Sequence, residues 1–168
     1  QFEQKNIQLK IIPGLNAIVD GKIRIETIRE VGVEDLLGRD AVPADETLIE
    51  SSVTDKVVMV TGAGGSIGSE LCRQILIRKP KILIILEQSE YSLYSIDREF
   101  KSNPMNAEII PVLCDVLRTD EVKSIINKYQ VDSIYHAAAY KHVPLVESNI
   151  VSGITNNVFG TLSVLKAI

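Results

Sequence analysis

From Lys56 onward, short continuous apolar runs alternate with longer segments in which apolar residues recur every three or four positions. Continuous runs of this kind are typical of strands that are covered on both faces of a parallel sheet. The runs lie at 57–61, 82–86, 109–113 and 133–136. Pro111 would be awkward at a central position of the sheet, because proline cannot donate to a strand ladder.

The segments between and after these runs predict four amphipathic helices. Their predicted buried faces are Ile67, Leu71, Cys72, Ile75 and Leu76; Leu93, Ile96 and Phe100; Val122, Ile125, Ile126 and Tyr129; and Val151, Ile154, Val158, Leu162 and Leu165. Alternating buried strands and helices predict a parallel sheet with right-handed crossovers. We therefore expect an α/β, doubly wound parallel-sheet fold, which is incomplete because the last helix calls for a further strand after Ile168.

Residues 1–55 follow a different pattern. Two alternating segments, 7–12 and 23–28, predict short strands, and 33–37 could form one helical turn. Residues 40–55 are polar and hold few periodic apolar positions. Because three thin elements cannot bury a core alone, we interpret 1–55 as an arm or linker with at most a small hairpin. Residues 56–168 are then the N-terminal part of the sheet domain.

Composition narrows the possible partners and compartment. The net charge of −4 provides no basic footprint for nucleic acid, and no apolar run approaches the roughly 18 residues of a membrane span. We therefore expect this chain to contact neither nucleic acid nor membrane. Cys72 and Cys114 lack metal-ligand spacing, and two isolated cysteines favour a reducing, cytoplasmic setting.

A glycine-rich segment, Thr61–Gly68, lies between the first predicted strand and helix, where a phosphate-binding loop must lie. Gly62 would permit a tight turn, Gly64 and Gly65 a close approach to a pyrophosphate, and Gly68 close helix packing. The helix N-terminus offers N–H groups to an anion. Predicted cofactor contacts are Gly62, Gly64, Gly65, Ser66, Ile67 and Gly68. A purely structural turn is the alternative, and no Gly-Lys-Ser/Thr follows to indicate a mononucleotide loop.

Glu87 ends the second predicted strand, 19 residues after Gly68. A dinucleotide-binding Rossmann domain places an acidic residue about 20 residues after the glycine motif, to accept hydrogen bonds from ribose hydroxyls. A carboxylate there would repel a 2′-phosphate. We therefore expect an NAD(P)-binding Rossmann domain that prefers NAD, with NADP less favoured. A solvated glutamate at a strand end is the alternative.

Two further segments follow the third and fourth predicted strands. Asp115, with Val116 beside it, could accept a hydrogen bond from an adenine amino group, or it could simply begin a turn. Ala137, Ala138 and Ala139 are small enough for the middle of a dinucleotide to lie over the sheet edge. An alanine run could equally reflect close packing alone.

Together these segments resemble the extended short-chain dehydrogenase/reductase superfamily, whose Thr-Gly-x-x-Gly-x-x-Gly pattern is matched at 61–68. More narrowly, the chain resembles the CapD-like polysaccharide-biosynthesis proteins, which are nucleotide-sugar 4,6-dehydratases. That resemblance rests on four segments, at 60–75, 87–91, 136–147 and 156–161, and extends over nearly everything from residue 30 onward. It also implies that residues 1–29 are the tail of a preceding domain, and that longer members carry membrane helices.

The resemblance implies an internal oxidation and reduction of a UDP-linked N-acetylhexosamine, with NAD(P) as hydride carrier and loss of water. The product would be a 4-keto-6-deoxy sugar. It adds Ser89 and Asn157 to the cofactor-binding residues and assigns Lys141 and His142 to the sugar nucleotide. His142 could instead fix a loop, and Asn157 could be a buried amide satisfied by backbone groups.

In the family, a Thr-Asp-Lys segment and a Tyr- or Met-x-x-x-Lys segment follow the next strand of the sheet. Residues 1–168 contain no Tyr- or Met-x-x-x-Lys, and their one Thr-Asp-Lys, at 54–56, precedes the glycine-rich segment and does not match that place. We therefore assign no catalytic residue to this chain and expect it to be inactive alone. A non-catalytic NAD-binding sensor or interaction module, and a sugar-nucleotide epimerase or reductase, are the alternatives. An open sheet edge and uncovered apolar helix faces would favour self-association, as a homo-oligomer or otherwise.

Overall fold

The computed structural model describes residues 10–11, 29–30, 45–102 and 107–168. The chain divides into two compact units, Gln1–Ala44 and Asp45–Ile168. In the first unit, β1 (Lys10–Ile11) pairs antiparallel with β2 (Arg29–Glu30). The predicted strand at 23–28 and helical turn at 33–37 lie outside the described residues.

The second unit is built on a parallel four-stranded sheet, as the apolar runs predicted. Its strands are β3 (Val57–Thr61), β4 (Ile82–Glu87), β5 (Glu108–Leu113) and β6 (Ser133–His136), in the order β5-β4-β3-β6. This order starts at the third sheet strand and places the first beside the fourth, as in a Rossmann sheet. Pro111 lies on the edge strand β5, where its missing N–H costs least.

One helix precedes the four-stranded sheet, and helices follow each of its strands. They are α1 (Glu46–Val53), α2 (Ser66–Ile77), α3 (Glu90–Ser102), α4 (Thr119–Tyr129), α5 (Val143–Ser148), α6 (Ile150–Ile154) and α7 (Gly160–Ala167), and a π-helical turn, Thr155–Phe159, joins the last two. Helices α2, α3 and α4 lie where the apolar spacing predicted them. Within the described ranges, no helix combines the length and the apolar character needed to cross a bilayer.

The sheet is covered on both faces. On one face, the side chains of Val58, Val60 and Ile85 pack with α2 and α3. On the other, Met59 and Ile84 pack with α4 and α7. Successive residues of β3 thus point into different hydrophobic clusters, as the period of two in a strand requires. This two-sided burial explains why the strands are continuous apolar runs.

Helix α1 corrects the sequence prediction, which treated its residues as linker. The Asp45 carboxylate caps the helix by accepting from the Leu48 N–H at 3.2 Å, and Val53 is fully buried in the core. Ser133 Oγ donates to the Ser52 carbonyl at 2.9 Å, which attaches the helix to β6. The pattern was missed because only Ile49 and Val53 of this short helix face the sheet. The compact unit therefore begins at Asp45.

The buried face predicted for the last helix is also wrong. Val151 and Leu165 are 80% and 63% exposed, whereas the small residues Gly153, Gly160 and Ser163 are buried. A Cβ on Gly160 would lie 3.1 Å from the Val116 side chain, so this helix approaches its neighbours more closely than large side chains allow. In α2, Ile67 is likewise exposed rather than buried.

Candidate functional site

The loop between β3 and α2 is shaped by glycines that internal packing requires. Gly62 has a φ of +64°, and a Cβ there would lie 2.7 Å from the Ala138 backbone. A Cβ on Gly68 would lie 2.0 Å from the Gly62 carbonyl oxygen. The close approach at Gly62 brings the loop against the segment that follows β6. The close approach at Gly68 shows that this glycine is needed for the loop to close on itself.

Gly64 and Gly65 differ from one another. The Gly64 N–H donates to Glu87 Oε2 at 3.1 Å, and a Cβ there would collide with Ser92 at 2.5 Å. Gly65 is exposed, its N–H donates to the Gly62 carbonyl at 3.1 Å, and a Cβ would meet only that oxygen, at 3.3 Å. Of these two predicted contacts with pyrophosphate, Gly65 alone lies open to a ligand.

The N-terminus of α2 supplies the donors for an anion. The N–H groups of Ser66, Ile67 and Gly68 have no acceptor among the described residues, as is usual in the first turn of a helix. Ser66 and Ile67 are exposed. Helix N-termini with free N–H groups and a positive dipole end bind phosphates. The geometry is therefore that of an anion site at the mouth of the loop.

The Glu87 carboxylate is fixed by backbone donors. Oε1 accepts from the N–H groups of Gln88 (2.9 Å) and Ser89 (3.0 Å), and Oε2 accepts from Gly64. The residue is 8% exposed. These three bonds hold the carboxylate beside the glycine loop. Because Oε1 already accepts two of them, Oε2 is the oxygen that keeps lone-pair capacity for a hydroxyl donor. The sequence located this residue but not its bond to the loop.

A cavity of about 190 Å³ lies between the glycine loop, the ends of β4 and β5 and the segment after β6. Of the described part of the chain, Glu87 contributes to its lining and no lysine or arginine does. The lining residues are Gly62, Gly65, Leu86, Glu87, Gln88, Ser92, Cys114, Val116, Ala137, Ala138, Ala139, Tyr140 and Asn156. The structure thus brings together the glycine loop, Glu87, Val116 and the three alanines, as the sequence predicted.

A second cavity, of about 720 Å³, adjoins the first and shares Gly65, Ala137, Ala139 and Tyr140 with it. It extends from the start of α2 to helices α5 and α6 and includes Ser66, Ile67 and Gly68. Lys141 and His142 line it, and both are exposed. The anion site at the start of α2 therefore opens into the same cavity as the predicted sugar-nucleotide residues.

Two residues that the sequence predicted to bind the cofactor, Asp115 and Ser89, are hydrogen-bonded to nearby backbone N–H groups. Asp115 Oδ1 accepts from the Leu117 N–H at 2.9 Å, which is the turn that the sequence left as an alternative, and Asp115 lines neither cavity. The Ser89 hydroxyl accepts from the Ser92 N–H at 3.3 Å, at the start of α3. Both contacts to a cofactor stay predictions.

Asn157 also binds backbone rather than facing a cavity. Its Oδ1 accepts from the Tyr140 N–H at 2.8 Å, and its Nδ2 donates to the Tyr140 carbonyl at 3.0 Å. The neighbouring Asn156 lines the smaller cavity, and the sequence analysis missed it, together with Tyr140. The adjacent Asn-Asn pair was the available signal, but the π-helical turn decides which amide faces the cavity.

His136 joins β3 to the last helix. Its Nδ1 lies 2.7 Å from Thr61 Oγ1, and its Nε2 lies 3.1 Å from Thr161 Oγ1. Burial lowers the pKa of this imidazole below its ordinary value. Burial also raises the pKa of the Cys114 thiol in the smaller cavity, to about 11, so that thiol is protonated and a poor nucleophile near neutral pH.

Comparison with known proteins establishes the family of the chain. Residues 58–168 match the family described as "Polysaccharide biosynthesis protein". The chain belongs to this family. The match begins at the second residue of β3 and includes both cavities, so the glycine loop, Glu87 and the alanine segment all lie within it.

Individual relatives agree with this assignment. The chain is 40% identical over 164 residues to the capsular polysaccharide biosynthesis protein CapD of Staphylococcus aureus, covering 97% of this chain and 27% of CapD. It is 32% identical over 113 residues to an inverting UDP-N-acetylglucosamine 4,6-dehydratase of Campylobacter jejuni, covering 67% and 32%. Among solved structures, Pen from Bacillus thuringiensis superposes with a TM-score of 0.62 and 32% identity, covering 69% and 35%. The chain thus spans about a third or less of these relatives.

Proposed function

We propose that this chain is the cofactor-binding part of a UDP-N-acetylhexosamine 4,6-dehydratase that serves capsule or other surface polysaccharide biosynthesis. The observation that carries the proposal is the joining of the two cavities along Gly65, Ala137, Ala139 and Tyr140. One cavity has the residues for an adenosine, and the other has the volume and, in Lys141, a cation for a sugar nucleotide. The parent protein would act in the cytoplasm, a reducing compartment that suits the two free cysteines.

The residues of this chain fit NAD. The free N–H groups of Ser66, Ile67 and Gly68 suit the pyrophosphate, and the fixed carboxylate of Glu87 suits ribose hydroxyls. Among the residues that the structure describes, none with a cationic side chain lines the smaller cavity to accept a 2′-phosphate. NAD, when bound, would supply the hydride acceptor and donor of an internal redox reaction.

A UDP-linked sugar fits the larger cavity by charge and size. Lys141 can pair with a diphosphate, and His142 lies beside it at the start of α5. The similarity to a UDP-N-acetylglucosamine 4,6-dehydratase supports an N-acetylhexosamine as the substrate, and the comparable similarity to a dTDP-glucose 4,6-dehydratase of Haemophilus influenzae makes an unsubstituted hexose the competing candidate. We assign no proton transfer to a residue of this chain and expect the chemical step to need residues that 1–168 does not contain.

Calorimetric titration with NAD⁺ and NADP⁺ tests the cofactor assignment, after mass spectrometry of any nucleotide released by heat. We expect NAD⁺ to bind at least about tenfold more tightly than NADP⁺. Glu87→Gln should reduce that preference, whereas the control Glu90→Gln, at the exposed start of α3, should keep it. A preference for NADP⁺ would refute the role of Glu87. Binding of neither would refute cofactor binding by this chain alone.

The reaction is tested with the parent protein. Incubation with UDP-N-acetylglucosamine should give a product lighter by one water, and Lys141→Ala should raise KM more than it lowers kcat. UDP-glucose and dTDP-glucose serve as competing substrates. A product of unchanged mass would indicate an epimerase, and NAD binding without turnover of any sugar nucleotide would indicate a sensor or interaction module.

A further inference from the structure

The four-residue segment Ala137–Tyr140, here called the dividing wall, separates the two cavities. Ala137, Ala139 and Tyr140 line both of them, and Ala138 lines the smaller one. In the described part of the chain, the wall is hydrogen-bonded to the sheet at its first residue, where the Ala137 N–H donates to the Thr61 carbonyl at 3.1 Å. Beyond this residue the chain leaves the sheet edge, so the position of the wall depends on other contacts.

The far end of the wall is held by Asn157. Its side-chain amide bonds both the N–H and the carbonyl of Tyr140, and the Asn156 Nδ2 donates to the same Oδ1 at 3.0 Å. Each polar atom of the Asn157 amide therefore has a partner. Such a two-point contact fixes the distance and the orientation of the Tyr140 peptide relative to the π-helical turn.

The near end of the wall is tied to the same turn through His136. The Thr161 hydroxyl donates to the Asn157 carbonyl at 2.8 Å, so its single proton is committed and its oxygen must accept from His136 Nε2. The neutral His136 ring then carries its proton on Nε2. Its Nδ1 accepts from the hydroxyl of Thr61, which is fully buried. The chain of donors runs from Thr61 through His136 and Thr161 to Asn157.

We propose that His136 and Thr161 are positioning residues that, through Asn157, hold the dividing wall in the place that dinucleotide binding requires. Both ends of the wall are attached to one helical segment, and a shift of that segment would move Tyr140 in both cavities together. The positional claim concerns this chain alone, whereas its consequence for binding rests on the proposed function.

Hydrogen exchange at the Tyr140 N–H tests the positional claim. Thr161→Val is nearly isosteric and removes both bonds of the hydroxyl, so exchange at Tyr140 should become about tenfold faster. Thr161→Ser, which keeps the oxygen, should restore it. The matched control is Thr119→Val, which removes a threonine hydroxyl bonded to Ser163 at 2.7 Å on the α4–α7 contact. Equal exchange at Tyr140 in Thr161→Val and Thr119→Val would overturn the proposal.

Nitrogen NMR of the imidazoles provides a second test, on the unsubstituted chain. His136 and His142 are the two histidines, so the signals can be assigned with single variants. We expect His136 to be the neutral form with its proton on Nε2, and a proton on Nδ1 would overturn the donor order. This measurement decides the donor order even if the Thr161 variants do not fold.

Calorimetry with NAD⁺ tests the consequence for binding. Thr161→Val should bind about tenfold more weakly than the unsubstituted chain, and Thr119→Val should bind equally well. Faster exchange at Tyr140 with unchanged NAD⁺ affinity would overturn the claim that the wall limits binding. Failure of the unsubstituted chain to bind NAD⁺ would refute cofactor binding by this chain alone, and the exchange and NMR results would still decide the positional claim.

Discussion

The glycines of the loop between β3 and α2 divide at the level of single residues into those required by packing and those open to a ligand. Gly62, Gly64 and Gly68 each have backbone or side-chain atoms closer than 3 Å to a built Cβ, whereas Gly65 has none. The sequence pattern predicted the loop and could not make this division. Local spacing identifies a turn, but the atoms that a side chain would meet come from residues distant in the sequence.

This division predicts that alanine at Gly68 mainly lowers stability, whereas alanine at Gly65 mainly weakens cofactor binding. Gly68→Ala should lower the free energy of unfolding by about 3 kcal/mol, because its methyl would overlap the Gly62 carbonyl. Gly65→Ala should lower it by less than about 1 kcal/mol and weaken NAD⁺ binding about tenfold, because its methyl would enter the shared part of the two cavities. Urea unfolding and calorimetry check both. Equal destabilisation by the two substitutions would contradict the assignment.

The titration of a single residue, His136, makes the stability of the folded chain depend on pH. Its pKa is lowered by burial from 6.5, so the unfolded chain binds the proton more readily than the folded chain. Its contribution to stability is complete above pH 6.5 and is lost as the pH falls toward the lowered pKa. Urea unfolding between pH 7 and about pH 5 should therefore show decreasing stability. His136→Gln should weaken that dependence, and the exposed control His142→Gln should not; the reverse result would refute the role of His136.

Short elements were the hardest to predict from the sequence. Helix α1 has two apolar residues that face the sheet. Several of its side-chain contacts reach residues far along the chain, such as the ion pair between Arg78 Nη2 and Glu46 Oε2 at 2.9 Å. Two inward residues do not establish a helical period. In contrast, α2, α3 and α4 each present several apolar residues at helical spacing, and their existence was predicted correctly.

The core role of α1 can be measured with a pair of substitutions on the same helix. Val53→Ala should lower the free energy of unfolding by about 2 kcal/mol, because Val53 is fully buried. Leu48→Ala, at a position that is 68% exposed, should change it by no more than about 0.5 kcal/mol. Thermal or urea unfolding of the two variants measures both changes. A negligible effect of Val53→Ala would return α1 to the status of a linker.

At the scale of the whole molecule, apolar side chains remain uncovered along the last helical segment. Val151 and Leu165 are 80% and 63% exposed, and Ile150, Ile154, Val158 and Phe159 are each at least 47% exposed. Uncovered apolar surface of this kind favours association.

The chain of 168 residues should therefore self-associate, as the sequence analysis expected. Replacing Val151 and Leu165 together by Glu should shift it toward monomer, because charges cannot be buried without partners. Leu48→Glu, exposed on α1, is the control and should leave the association unchanged. Light scattering over a range of concentrations checks this. A clean monomer of the unsubstituted chain at high concentration would contradict the prediction.

The sequence by itself determined the four strands, the helices that follow the first three of them, the glycine loop and the position of Glu87. Continuous apolar runs and helical spacing are local properties, and they persist whatever the rest of the chain does. Tertiary structure alone decided which side of the last helix is buried, because small residues there permit a closer approach than the larger apolar residues opposite them. It also decided which asparagine faces the smaller cavity and which donors hold Glu87 and the dividing wall, because these hydrogen bonds join atoms whose proximity only the packed sheet creates.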